Sequence, residues 1–401
     1  MKKQHIFLFY LLLFCFIVPC TARAKTVRNT SAFDFYFRDV GNNTCCITEI
    51  RINADKGISE LKIPSTINGK TVVSIGPKYF SSDHNYGIAQ KNVFGLFQMD
   101  DSDRSVSEYW DWMPKDDAQK RRAMRVKKII LPDTIKVLKK DCFAAMKGLK
   151  SVKLPKKLTR IESGAFACTA IKKIHLSNSL TSIGQTAFLN TPLKEINIPA
   201  NLKDEVTGLV RVKWNNSKRG DGFWKRFTIS KKNPYYKIKN GMLFSKDGKI
   251  LYGVIKKRKN IRIPDAVTTL YSSTFHKVPL KTLYLGAGLN EIGVSALATN
   301  TLCHIKLHPK NPYLAKSGNC IYWKKNKAIV AGKPKNGVLK IPKKVRLIDK
   351  NGFSIIGRNK IKKLIIPKTV KDIKKGWRYA TLEHYDIDKI KCKVITKKNS
   401  T

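Results

Sequence analysis

Acidic residues are scarce. Against 79 Lys and Arg stand only 28 Asp and Glu, a formal charge of +51 over 401 residues. A deficit this large makes the chain repel itself and attract polyanions. It does not make the chain disordered, because 42% of residues are apolar, 9% are aromatic and the charge is not confined to one tail. Motifs that carry chemistry are also missing. No C-x-x-C pair, zinc-finger spacing, G-x-S-x-G, H-E-x-x-H or kinase set occurs. Asn68-Gly69-Lys70-Thr71 has the end of a phosphate loop, but the Gly needed upstream is Pro64. His304 and His308 are four apart, yet they fall across a strand and its corner, where they need not converge. No catalytic residue, cofactor or metal is therefore expected. A Cys/His or paired-carboxylate site assembled from distant parts of the chain is the one arrangement left open.

Long hydrophobic runs are missing as well. The longest, Ile6 to Val18, has 13 residues, short of the roughly 18 to 20 that span a bilayer. It follows Met1-Lys2-Lys3 and precedes Ala22-Arg23-Ala24, the pattern of a secretory leader cut before Lys25. Pro19 directly before Cys20 speaks against a lipid anchor. An exported protein, in a periplasm, at the cell surface or released, is the expectation, with no transmembrane segment. Of the charge, Lys2, Lys3 and Arg23 leave with the leader, so +48 remains, away from chromosomal nucleic acid. Nine cysteines fall to seven: Cys45, Cys46, Cys142, Cys168, Cys303, Cys320 and Cys392. The number is odd and the spacings irregular, so most read as small buried apolar residues.

What the chain does have is a repeat. Ile129-Ile130-Leu131-Pro132, Val152-Lys153-Leu154-Pro155, Ile174-His175-Leu176-Ser177 and Ile196-Asn197-Ile198-Pro199 place the last slot at intervals of 23, 22 and 22 residues. Eleven residues past that slot stand Phe143, Phe166, Phe188, Phe275 and Phe353. Each unit opens with apolar residues in the order seen in Leu149-x-x-Val152-x-Leu154. The last two are two apart and share one face of a short strand, which Pro then ends. A second apolar pair follows, as in Leu180 and Ile183, before the turn to the Phe. One such unit buries nothing alone, so the units must stack.

About a dozen units fit, from Ile58-x-x-Leu61-x-Ile63 to Leu382-x-x-Tyr385-x-Ile387. A larger duplication overlies them over about residues 224–353. Asn233-Pro234-Tyr235 returns as Asn311-Pro312-Tyr313, Pro264 as Pro342 and Phe275 as Phe353, each displaced by 78. Hairpin excursions are expected after each Asn-Pro-Tyr, with Asp247-Gly248 as the turn. Residues 25–57, which alternate from Phe33 to Ile50, are expected to cap the stack, and 58–388 to form it. Insertions are expected at 81–125 and 200–223. The first holds Tyr109-Trp110-Asp111-Trp112 and then a helix opened by Pro114. Residues 389–401 read as a basic tail.

This pattern resembles the BspA-like leucine-rich repeats of bacterial surface proteins, whose unit reads roughly L-x-x-I-x-I-P, V-x-x-I-G, A-F, often with Cys shortly after the Phe. Leu149 to Cys168 matches almost slot by slot, as does Leu180 to Phe188. The resemblance covers about residues 33–388. It implies a β-rich, right-handed leucine-rich-repeat solenoid of short parallel strands, with short helical turns and hairpin insertions. Some proteins of this kind are linked to adhesion to host matrix or to other microbes, and the resemblance brings no catalytic residues to transfer.

The candidate site is a surface. The x positions of the strand unit face outward and stack between units, and they hold Lys127, Lys150, Lys153, Lys172, Lys173, His175, Lys194, Arg262, Lys281, Tyr284, Lys306, Lys340 and Lys362. Acids at these positions are few: Glu60, Glu195, Glu383 and Asp386. Such a ladder would suit an acidic extracellular polysaccharide or an acidic host or microbial surface protein. The competing expectations are that the lysines serve only solubility and block sheet-edge pairing, or that adhesion to protein runs through Tyr109, Trp110 and Trp112.

Overall fold

The computed structural model describes residues 25–76, 118–209, 224–375 and 393–396, apart from 31, 54–57, 185, 204, 205, 207, 208, 273, 276, 277, 295, 298–301, 350–352 and 357–360. The molecule is a β-rich repeat solenoid, and most described coils contribute two short strands. The first strand of each coil builds one set of parallel ladders. Glu60–Lys62, Lys128–Ile130 and Ser151–Lys153 pair in that order. The bridge Lys173↔Glu195 leads to the pair Glu195–Ile198 and Arg226–Ile229. Asn260–Arg262, Thr282–Leu285 and His304–Leu307 form a third group, and Val338–Lys340, Lys363–Ile366 and Lys393–Thr396 a fourth. The second strand builds another set, through Lys70–Ile75, Val137–Leu138, Arg160–Ile161 and Ser182–Ile183.

The Phe slot closes the coil on its third side. The Phe143 amide donates to Ala165 O at 2.9 Å and the Phe166 amide to Ala187 O at 2.8 Å. Their rings, with Phe188, stack at centroid distances of 5.7 and 5.4 Å and are fully buried. Each such ring removed from water contributes about 1.5–3 kcal/mol, which is why the sequence holds the slot so strictly. Gly184, at the end of the second strand, has a different reason. A Cβ there would lie 2.2 Å from the Ser163 backbone nitrogen of the preceding coil.

Lys25–Thr30, Phe33–Gly41 and Thr44–Ile52 form an antiparallel meander whose last strand pairs in parallel with Lys70–Ile75. This covers one end of the second ladder. Residues within the expected insertions also enter the body. The helix Ala118–Arg125 buries Ala123, and Val126 just beyond it is buried too, while Arg122 Nη1 donates to Ile52 O at 2.9 Å. Leu202, Val206 and Leu209 are buried as well. The first 24 residues, Tyr109, Trp110, Trp112 and the proposed opening of the helix at Pro114 lie outside the described residues.

At the other end the structure departs from the expected tail. Lys393–Thr396 is a strand in register with Lys363–Ile366, and Val394 packs on the core. Only two apolar residues, between a lysine and a threonine, carry this strand, which is why the basic composition hides it.

The two hairpins after Asn-Pro-Tyr share their chemistry. Asn233 is fully buried; its Nδ2 donates to Pro199 O and Leu202 O at 2.8 and 3.1 Å, and its Oδ1 accepts from the Tyr235 and Tyr236 amides. Asn311 repeats this with Gly286 O, Leu289 O and the amides of Tyr313 and Leu314. Lys246 Nζ donates to Asn233 O at 2.9 Å and Lys324 Nζ to Asn311 O at 2.8 Å. The first excursion has two turns: Asn240-Gly241, with φ of +50° and +69°, joins Tyr236–Lys239 to Met242–Ser245, and Gly248, with φ of +86°, lies in the turn to Ile250–Val254.

Candidate functional site: a basic column on the first ladder

Apolar residues of the first strand point into the coil and leave their neighbours on the surface. Ile129 is fully buried, for example, while Lys127 and Lys128 are exposed. The position just before the strand is the most regular of these. It holds Lys127, Lys150, Lys172, Lys194 and Lys225 in consecutive first-ladder coils, all exposed. Backbone bonds hold them in register in two runs: the Lys150 amide donates to Lys127 O at 2.8 Å, and beyond the break after Lys153 that of Lys194 donates to Lys172 O at 2.9 Å and that of Lys225 to Lys194 O at 3.0 Å. Lys259 and Lys281 continue the position in the next group, joined by a bond from the Lys281 amide to Lys259 O, before Cys303 takes the place.

Neighbouring strands lie about 4.8 Å apart, and like charges directly opposite one another destabilise a sheet. Acids relieve this only at the margins. Glu60 pairs with Lys128 at 2.8 Å and holds its own carboxyl below the usual range through that bond. Glu195 pairs with Lys225 at 3.4 Å. Among the described residues no acid pairs with Lys127, Lys150, Lys172 or Lys194.

The other expected residues distribute as follows. Lys153, Lys173 and His175 are exposed on the same face, one to three residues along from the column. Lys340 and Lys362 are exposed but belong to the fourth group. The ladder is thus interrupted: a hairpin intervenes after Asn233 and another after Asn311. Arg262, Tyr284 and Lys306 are brought together in register across three strands. The Arg262 guanidinium carbon lies 5.6 Å and Lys306 Nζ 5.1 Å from the Tyr284 ring centroid. Both are cation–π distances. The stacking surface expected of Tyr284 is therefore engaged by its own neighbours. Sequence reasoning missed this grouping, although the 22-residue frame already placed the three side chains side by side.

Five of the six described thiols are packing residues, and Cys303 is exposed. Cys45, Cys46, Cys142 and Cys320 are fully buried and Cys168 nearly so. Burial pushes the Cys45 thiol up to about 11 and that of Cys320 up to about 12, and holds Cys142 well above its ordinary value. Among the described residues no group of three or more His, Cys, Asp or Glu could hold a metal ion. Nor is any helix among them long and apolar enough to cross a membrane.

Comparison with known proteins agrees with this architecture. The model of the BspA type leucine rich repeat region matches six copies, over residues 122–206 and 250–321. The crystal structure of the pneumococcal vaccine antigen PcpA matches with a TM-score of 0.52 at 17% identity, covering 94% of this chain and 99% of that one. A leucine rich cell surface protein of Faecalibacterium prausnitzii A2-165 matches at 0.44 and 13%, covering 94% and 96%. A leucine-rich repeat protein of Eubacterium ventriosum ATCC 27560 matches at 0.46 and 13%, covering 93% and 85%. No curated protein sequence matches the chain. At 17% identity the likeness to PcpA speaks to the fold alone, and over residues 122–206 and 250–321 the repeats of this chain are similar to the BspA type of leucine rich repeat region.

Proposed function

We propose that this chain is an exported, non-catalytic binding protein that engages acidic extracellular glycans through the lysines before its first-ladder strands. One observation carries the reading. Five consecutive coils carry a lysine at one position, in backbone register from Lys127 to Lys150 and again from Lys172 through Lys194 to Lys225, with an ion pair at only the last of them, an arrangement that costs stability and that solubility alone does not require. The leader-like first residues support a place at the cell surface or outside the cell. Retention on immobilised heparin is the test. The wild-type chain is expected to bind at low salt and elute at moderate salt, as exposed ion pairs are screened. The triple variant Lys150→Glu, Lys172→Glu, Lys194→Glu is expected to elute at clearly lower salt, and retention equal to wild type would sink the proposal. All three side chains are exposed, so the fold should survive the change.

A further inference from the structure

The column has a direction, and the direction constrains the ligand. Along a single strand the lysines and arginines number at most two, as in Lys127-Lys128, Lys172-Lys173 and Lys225-Arg226. In Lys150-Ser151-Val152-Lys153 two uncharged residues separate the cations, and Pro155 turns the chain away two residues later. Across the strands they are dense. Lys127, Lys150, Lys172, Lys194 and Lys225 supply one cation per coil at one position, about 4.8 Å apart where the coils pair, from Lys127 to Lys150 and from Lys172 through Lys194 to Lys225. The run has ends. Upstream, Ser59 occupies the place before the first strand, where its carbonyl accepts from the Lys127 amide at 2.7 Å. Downstream, Glu195 already engages Lys225 at 3.4 Å, and the hairpin begins after Asn233.

We infer that the bound chain runs along the solenoid axis, crossing the strands, and that it is a polyuronate-like polysaccharide with one carboxylate on every sugar ring. This rests on the polyanion reading above. A pyranose ring in an extended chain advances by about the spacing of one coil, so an acid on each ring meets a lysine on each coil. A glycan with an acid on alternate rings would leave every second lysine facing a neutral sugar. The free cations at Lys127, Lys150, Lys172 and Lys194, with the shared one at Lys225, set the matched length at four to five rings.

Titration calorimetry of the full chain with oligogalacturonates of increasing length, from dimer to decamer, tests this. Affinity should climb with each ring up to the pentamer and then flatten, apart from the statistical gain of sliding. A glycan of equal length with acids on alternate rings should bind roughly tenfold more weakly, since two or so exposed ion pairs are lost. Lys172→Gln should lower the slope of log affinity against log salt by about one, as should Lys150→Gln. Equal affinity for the alternate-ring glycan, or no dependence on length while heparin is still retained, would overturn the axial match and leave the polyanion reading standing. Loss of all acidic-glycan binding would remove both. Tighter binding of oligothymidylate of equal charge would overturn the assignment to glycans.

Discussion

At the scale of single residues, the most demanding positions are the two buried asparagines. Asn311 satisfies two carbonyls and two amides at once, at 2.7–3.2 Å, and no apolar residue of its size can do so. Asn311→Ala should cost about 3 kcal/mol, since each buried group left unpaired costs roughly 1–3 kcal/mol and water can rescue some. The readout is the urea midpoint, and a loss below about 1 kcal/mol would contradict the role. The buried thiols supply a pH dependence. Their folded-state pKa values lie above the ordinary value of 9, at about 11 for Cys45 and about 12 for Cys320. Above pH 9 the unfolded chain loses these protons before the folded one does, so stability is full below 9 and falls as pH rises towards 11–12. Lysine deprotonation works in the opposite sense by relieving repulsion, so the comparison must be with Cys45→Ala/Cys320→Ala. The slope of urea midpoint against pH between 9 and 11 should be shallower in that variant. Thiol reagent at pH 8 should label Cys45, Cys142 and Cys320 only on unfolding.

At the scale of the element, the strand carries two opposing demands. Its inward residues, such as Leu61, Ile129 and Ile196, are buried to 5% exposure or less. The residue before the strand repeats a positive charge. If that charge serves a ligand, removing it should help the empty protein. Lys172→Gln is expected to raise the melting temperature by on the order of 1 °C without ligand while weakening glycan binding. A fall in both would mean that the lysine is a packing residue. The element scale also shows what was legible. The order Leu-x-x-Ile-x-Leu-Pro and the Phe slot declared strand, corner and coil, because burial repeats with a fixed period. The helix Ala118–Arg125 was assigned to an insertion because its charged sequence hides the few side chains it buries, Ala123 and then Val126. The repeat spacing sets Arg262, Tyr284 and Lys306 side by side, but that the two cations engage the ring depends on the tilt of long side chains, which spacing does not give. The helix alters how the aromatic segment should be tested. Deleting 81–113 keeps the helix and is expected to leave the melting temperature within a few degrees, whereas deleting 81–125 exposes the surface beneath the helix and should lower it sharply. Loss of protein binding in the shorter deletion, with glycan binding intact, would favour Tyr109, Trp110 and Trp112 as an adhesive segment.

At the scale of the molecule, the core is divided, and the hairpins do the dividing. Within Met242–Ser245, Leu243 belongs to the apolar cluster that reaches back to Phe33, while Met242 and Phe244 belong to the next cluster. Cys320–Trp323 repeats this, with Ile321 on the middle cluster and Cys320 and Tyr322 on the last. Alternate side chains of a strand point to opposite faces, so each hairpin forms a wall buried on both sides. This explains why its strands read as continuous apolar runs, Met-Leu-Phe and Cys-Ile-Tyr, where the ladder strands alternate. A solenoid in which coils touch only their neighbours unfolds as a sum of local stabilities and interfaces, and a wall is where that sum is easiest to break. Phe353→Ala, in the last cluster, should cost about 3–5 kcal/mol there and detach that cluster from the rest. Hydrogen exchange of the variant is expected to show 338–375 losing protection in mild urea while the amides of 128–198 remain protected. Uniform loss along the whole chain would mean that the walls transmit the damage and that the three clusters fold as one.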